Sequence, residues 1–219
     1  MTTIAVIGGT GKEGQGLALR WARAGHVIII GSRDAARAEA AANTLNGLLG
    51  QDVARGLSNA DAAQAAQVVA LSVPYAAHRA TLEMIKDGAQ GKVLIDVTAP
   101  LDPANKKKAY RVPEGSAGVA AQQFLGENVR VVSAFQNISY THLSNAAADL
   151  GCDVLVCGND PAAKQIVIAL ARDAGLAAFD AGPIENAVVA EGLTAALINI
   201  NIAFKIKNAG IHLTGVPRN

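Results

Sequence analysis

Short, unbroken apolar runs alternate with alanine-rich stretches along most of the chain. "TIAVIG", "HVIIIGS", "QVVALSVP", "KVLIDVTAP", "RVVSAF", "CDVLVCG" and "LAAFDAG" read as strands. Between them, residues 12–24, 34–49, 76–87, 116–125 and 161–174 read as helices, and a long last helix is expected over about 186–208. The strand runs are continuous rather than alternating, as strands are when helices cover both faces of a parallel sheet. Strand–helix alternation of this kind predicts an α/β fold with a doubly wound, mainly parallel sheet. "THLSNAAADLG" interrupts the pattern. A boundary is expected there, with one domain over 1–148 and a smaller C-terminal α/β domain over 149–219.

Composition narrows the function classes. Hydrophobic residues make up 51% and charged residues 17% of 219, a globular balance. The net charge of +1 supplies no field for gathering nucleic acid. The N-terminus lacks the basic region of a signal peptide, and its apolar run breaks at glycine. "AVVAEGLTAALININIAF" carries Glu191, Asn199 and Asn201, so it is not read as a membrane span. The expectation is a soluble, cytoplasmic protein with no membrane partner. Cys152 and Cys157 sit an odd number of residues apart in an expected strand and should face opposite sides, as two buried thiols rather than a disulfide or metal pair. Four scattered histidines give no metal spacing, so no metal is expected.

"IGGTGKEGQG" follows the first strand and opens the first helix. Gly9, Gly11 and Gly14 form G-x-G-x-x-G within a βαβ unit, the context in which that motif marks a Rossmann-type dinucleotide site. Gly9 is expected to permit the tight turn, Gly11 to let a pyrophosphate approach the backbone, and Gly14 to let the helix pack on the strand. The pyrophosphate would then rest on the free N–H groups of the helix start. A NAD site usually places an acid at the end of the second strand. Here that end reads Gly31, Ser32, Arg33, with Arg37 one turn on. A hydroxyl and two guanidinium groups suit a 2′-phosphate, which predicts NADP(H). Asp34 is discordant unless it caps the next helix.

Ligands in open α/β sheets bind beyond the carboxyl ends of the strands. Ser72, Val73 and Pro74 follow one expected strand; Thr98, Ala99 and Pro100 follow the next; Phe135, Gln136, Asn137 and Tyr140 follow another. Gln136 and Asn137 either bind a ring carbonyl or amide or satisfy a local turn. His78 is either a ligand contact or a partly exposed helix histidine. "NKKKAYR", 105–111, is the one charge run, either a solvated loop or an anion-steering patch. No nucleophile–base constellation stands out, so no catalytic side chain is named. That suits direct hydride transfer, in which the protein supplies alignment and dryness.

"GGTGKEGQGLALRWARAGHVIIIGSRD", "SVPYAAH", "VVSAFQNIS", "CDVLVCGND" and "DAGPIENAVVAEGLTAALININ" together resemble the NADPH-dependent reductases of coenzyme F420, from Thr3 to about Gly210. The resemblance implies a Rossmann domain, a smaller C-terminal domain that completes a cleft, a homodimer, and hydride transfer between NADP(H) and the deazaflavin ring of F420. It implies that Thr10, Gly11, Lys12 and Glu13 line the phosphates and that Ser32, Arg33 and Arg37 hold the 2′-phosphate. Val73, Pro74 and Ala99 would pack near the nicotinamide, and Phe135, Gln136, Asn137 and Ile138 would approach the deazaflavin. Some members carry histidine where this chain has Gln136, which can hydrogen-bond a ring but not exchange a proton. Lys106, Lys107 and Lys108 would meet the anionic tail of F420.

In the last helix, Leu193, Leu197, Ile200 and Phe204 form one apolar stripe, and Ile198 and Ile202 extend it. That is more apolar surface than one sheet face covers, which predicts a two-fold dimer through this helix unless the helix lies wholly in the chain's own core. Two other functions stay open at this stage: NADP-dependent reduction of an imine, ketone or metal chelate, and a non-catalytic NADP(H) sensor. A ketone reductase needs a general acid, and Tyr140 and His78 are the candidates.

Overall fold

The computed structural model describes residues 1–145 and 151–217. Eight strands form one sheet: β1 (Thr3–Ile7), β2 (Val27–Ser32), β3 (Ala54–Ser58), β4 (Val68–Leu71), β5 (Val93–Asp96), β6 (Arg130–Ser133), β7 (Asp153–Gly158) and β8 (Ala177–Asp180). The helices are α1 (Lys12–Arg23), α2 (Ala35–Leu49), α3 (Asn59–Ala65), α4 (Tyr75–Ile85), α5 (Ala117–Leu125), α6 (Tyr140–Ser144), α7 (Pro161–Asp173) and α8 (Ala187–Phe204). The strand order is 3-2-1-4-5-6-7-8. Every neighbouring pair is parallel except β6–β7, where Val132 pairs with Gly158 and Ser133 with Cys157. The expected Rossmann-type, doubly wound, mainly parallel sheet is what forms.

The continuous apolar runs are buried on both faces. Ile4, Val6, Ile28 and Ile30 face one hydrophobic cluster; Ala5, Ile7 and Ile29 face the other. Cys152 and Cys157 fall in opposite clusters, as their spacing predicts. β3 and α3 are not visible in the apolar pattern. "ARGLS" is an edge strand whose positions beyond Ala54 are partly or fully exposed, so it carries no continuous run.

The expected boundary between 148 and 149 lies outside the described residues. On its C-terminal side, β7 and β8 continue the sheet through the antiparallel β6–β7 pair. α8 ends earlier than expected, at Phe204, because Lys205 takes a left-handed conformation. The chain then folds back: Ser139 Oγ and Thr141 Oγ1 donate to the Lys207 carbonyl, and Ala209 N donates to Asn201 Oδ1. α8 is long and apolar enough by length and composition to cross a membrane, with a mean hydropathy of 1.6. Its Glu191 is nevertheless buried against α5, and Asn199 Nδ2 donates to the Lys107 carbonyl.

Candidate functional site

β1, β2, β4, β5 and β6 run parallel, so the loops after Ile7, Ser32, Leu71, Asp96 and Ser133 emerge on one edge of the sheet. Two cavities open there, flanking the start of α1. A groove of about 520 Å³ is lined by Gly8, Thr10 and Gly11, by Ser32, Arg33, Asp34 and Arg37 after β2, by Asn59, and by Ser72, Val73 and Pro74 after β4. A cleft of about 540 Å³ lies beyond it, between Glu13, Ala99, the Phe135–Tyr140 loop and α8.

The groove is shaped for an anion. The turn's left-handed residue is Gly8, at φ +73°, rather than Gly9. Gly9 is buried in the turn, its N–H shared between the Val6 and Gly31 carbonyls, and it lines neither cavity. A Cβ on Gly14 would lie 2.8 Å from Gly9 Cα, so only glycine lets the helix approach this closely. Gly11 caps α1 without a side-chain bond, which leaves the first-turn N–H groups for a ligand.

The far end of the groove selects the dinucleotide. A Cβ on Gly31 would meet Ile7 Cδ1 at 2.8 Å and Asn59 Oδ1 at 3.1 Å, so a side chain there would have to displace both. Asp34 is engaged elsewhere: its Oδ1 accepts from Ala36 N and Arg37 N and caps α2. Ser32 Oγ accepts from Asp34 N at 3.2 Å, keeping its proton available to a ligand. Arg33 and Arg37 line the groove, and neither has a carboxylate partner among the described residues. Asn59 was not foreseen because α3 has no sequence signature; its Oδ1 is buried without a partner at the groove wall.

The cleft is walled by Val97, Leu197 and Ile198 and carries few polar atoms. Gln136 Nε2 donates to the Asp96 carbonyl at 2.8 Å and to Ser133 Oγ at 2.7 Å, while Thr194 Oγ1 donates to the Gln136 carbonyl. Asn137 Nδ2 donates to the Asp153 carbonyl. Backbone carbonyls only accept, so both amide groups are fixed with their NH2 inward. Gln136 Oε1 and Asn137 Oδ1 are left buried without partners. They can accept from a ring N–H or a carboxamide but cannot donate to a ring carbonyl.

Phe135 borders this cleft at φ +75°, a strained conformation for an aromatic residue. Its ring turns into the core, edge-on to Trp21 with centroids 5.8 Å apart, rather than toward the cleft. Ala99, Ile138 and Tyr140 do line the cleft. Lys12 lines neither cavity; its Nζ lies 4.9 Å above the Tyr140 ring. Glu13 points to the cleft and not to the groove. Burial pushes its carboxyl up to about 8, and its Oε1 has no partner.

Behind the cleft stands a group that the sequence pattern did not reveal. His78 is not partly exposed but buried, with Nε2 2.7 Å from Asp96 Oδ2 at the end of β5. Burial disfavours the imidazolium, but the Asp96 charge and hydrogen bond outweigh it and hold the His78 pKa above the ordinary value. Glu191 of α8 accepts from Ala117 N and Gly118 N at the start of α5. Burial, aided by Asp96, pushes Glu191 up to about 8 against those two bonds. The available signal was a lone aspartate inside the apolar run "VLIDVT".

A family described as coenzyme F420-dependent NADP oxidoreductase matches residues 3–100. The F420-dependent NADP reductase of Methanothermobacter thermautotrophicus is 44% identical over 221 residues, covering 98% of this chain and 95% of the relative. That of Methanocaldococcus jannaschii is 41% identical, covering 97% and 98%. The chain belongs to the F420-dependent NADP oxidoreductase family.

A solved structure from Arthrobacter sp. FB24, described as an F420-dependent NADP reductase, superposes with a TM-score of 0.84 at 27% identity, covering 98% of this chain and all of that one. The protein is thus an NADP-dependent oxidoreductase. NADP(H) and coenzyme F420 are the cofactors of F420-dependent NADP oxidoreductases. The residues present fit both: a phosphate cradle with two unpaired arginines, and an apolar slot with two orphaned amide oxygens.

Proposed function

We propose that the protein transfers a hydride directly between NADP(H), laid across the groove, and F420, whose deazaflavin ring enters the cleft. The observation that carries this reading is the pair of cavities that flank the start of α1, in a chain similar along its whole length to F420-dependent NADP reductases. Ser32, Arg33 and Arg37 hold the 2′-phosphate, and Thr10 and Gly11 cradle the pyrophosphate at the helix start. Val73, Pro74 and Ala99 seat the nicotinamide. Gln136 Oε1 and Asn137 Oδ1 accept from N–H groups of the rings. The apolar walls keep water from the hydride path. The bound cofactors supply the redox chemistry, so these residues need only align two rings.

α8 and the returning strap at 206–209 form the far wall of the cleft, the part of it that a smaller C-terminal domain contributes. The exposed face of α8, with Val189, Ile200 and Phe204, is the interface of a homodimer. The 106–108 lysines stand beside α8, where the Asn199 bond to the Lys107 carbonyl holds their loop, and meet the anionic tail of F420. The enzyme works in the cytoplasm, where NADP(H) is available.

The test is a spectrophotometric assay of purified protein with NADPH and F420, with NADH as control. Loss of deazaflavin absorbance with NADPH, and little with NADH, is the expected result. Tight NADPH binding without bleaching would overturn the F420 assignment and direct attention to imine or ketone acceptors.

A further inference from the structure

Glu13 is a paradox in the groove-and-cleft scheme. It stands in the first turn of α1, where the pyrophosphate of a dinucleotide rests, and a second anion there would repel the ligand. Its side chain avoids that conflict by leaving the groove and entering the cleft, next to Gln136, Asn137 and Tyr140. There its Oε1 is out of contact with water and has no hydrogen-bond partner. Among the described residues no salt bridge reaches it. The other titratable groups lining the cleft are Tyr140 and Lys207, and α8 contributes only Thr194, Asn201 and apolar side chains to that wall. Lys12, on Glu13's own helix, is directed at the Tyr140 ring. A carboxyl in that setting is favoured in its neutral form, because burial penalises its charge and no described residue forms an ion pair with it.

A nicotinamide lying between Pro74 and Ala99 would change the setting. The reduced ring is neutral and the oxidised ring carries a positive charge. A positive charge brought within a few ångströms of a desolvated carboxyl favours its anion. We infer that Glu13 carries a proton which it holds while reduced nicotinamide lies beside the cleft and releases when the nicotinamide is oxidised.

The inference rests on the reading that the nicotinamide lies between Pro74 and Ala99, at the edge of the cleft, but not on F420 as the acceptor. With F420 the balance closes: NADPH, F420 and one proton give NADP⁺ and F420H2. The C–H electron pair of NADPH passes to the deazaflavin with its hydrogen. The O–H bond of Glu13 breaks, its proton leaves toward the reduced ring, and the carboxylate stays beside the new cation. Burial alone already places the titration of this carboxyl at about 8, close to the working range, so a modest field moves it fully to one side.

Proton release on dinucleotide binding tests this without turnover. In weakly buffered solution near neutral pH, a pH indicator should record more protons released when NADP⁺ binds than when NADPH binds. The 2′-phosphate is common to both ligands, so its own titration cancels in the difference. In Glu13→Gln the difference should vanish while both dinucleotides still bind. An equal difference in Glu13→Gln, or none in the wild type, would overturn the inference. If the variant fails to bind, infrared difference spectra of the wild type decide the matter. Loss of a protonated-carboxyl carbonyl band on adding NADP⁺, and not on adding NADPH, is expected; unchanged spectra would overturn it. Binding is read in the same titrations, so absence of any dinucleotide binding would instead indict the functional reading beneath the inference.

Discussion

At the scale of single residues, the dinucleotide specificity rests on what is missing as much as on what is present. At Gly31 an acid is absent, and any side chain there would have to displace Ile7 and Asn59. Asp34 looks like the missing acid in sequence, yet two backbone N–H groups of α2 hold it. Arg33 and Arg37 are therefore the charges available to a 2′-phosphate. Arg33→Ala should weaken NADPH binding by about 1–3 kcal/mol, the range for a lost charge-assisted contact, and leave NADH binding nearly unchanged. Paired calorimetric titrations check it, and equal losses for the two dinucleotides would misplace the phosphate. Gln136 shows what sequence could not settle. It was visible as a polar residue after an apolar strand, but which end of its amide is left without a partner depends on the Asp96 carbonyl, 40 positions away.

At the scale of elements, one buried network ties the strand ends to the helices that frame the site. Asp96 at the end of β5 takes His78 from α4 and Thr98 N from the following loop, while its carbonyl holds Gln136. Glu191 fastens α8 to the start of α5. Removing one partner of a buried ion pair leaves the other uncompensated, which typically costs about 3–5 kcal/mol. His78→Ala should lower stability by about that amount in urea unfolding. An Asp96→Asn, His78→Leu double variant should recover part of the loss. A single-variant loss below about 1 kcal/mol would show the pair to be unimportant for the fold. Arg20 plays a comparable part outside the site: its buried guanidinium donates to carbonyls of His142, Leu143, Asn145 and Ala174, joining α1 to the ends of α6 and α7. In sequence it is simply one more basic residue in a helix.

At the scale of the molecule, α8 presents two faces. Ala187, Ala190, Glu191, Ala195 and Leu197 are buried in the chain. Ile200 and Phe204 of the apolar stripe, and Ile202 that extends it, are 42%, 73% and 53% exposed, and Val188 and Val189 are exposed with them. An exposed apolar face of that kind usually marks an interface. Sedimentation at micromolar concentration should give the mass of two chains. Val189→Glu together with Ile200→Glu should give a folded single chain with an unchanged far-ultraviolet spectrum. A wild type that sediments as one chain would refute the dimer.

The sequence by itself determined the α/β alternation, the glycine cradle and the 2′-phosphate preference, because each depends on neighbours close along the chain. A strand run, a βα turn and the residues just after a strand carry their meaning within about ten positions. It could not show β3 and α3, whose edge position removes the apolar signature. Nor could it show the inward turn of Phe135, the His78–Asp96 pair, or the departure of Glu13 from the phosphate side to the cleft. Those were decided by tertiary structure, because the burial and partners of a side chain depend on which distant strands and helices close around it, and no local pattern encodes that.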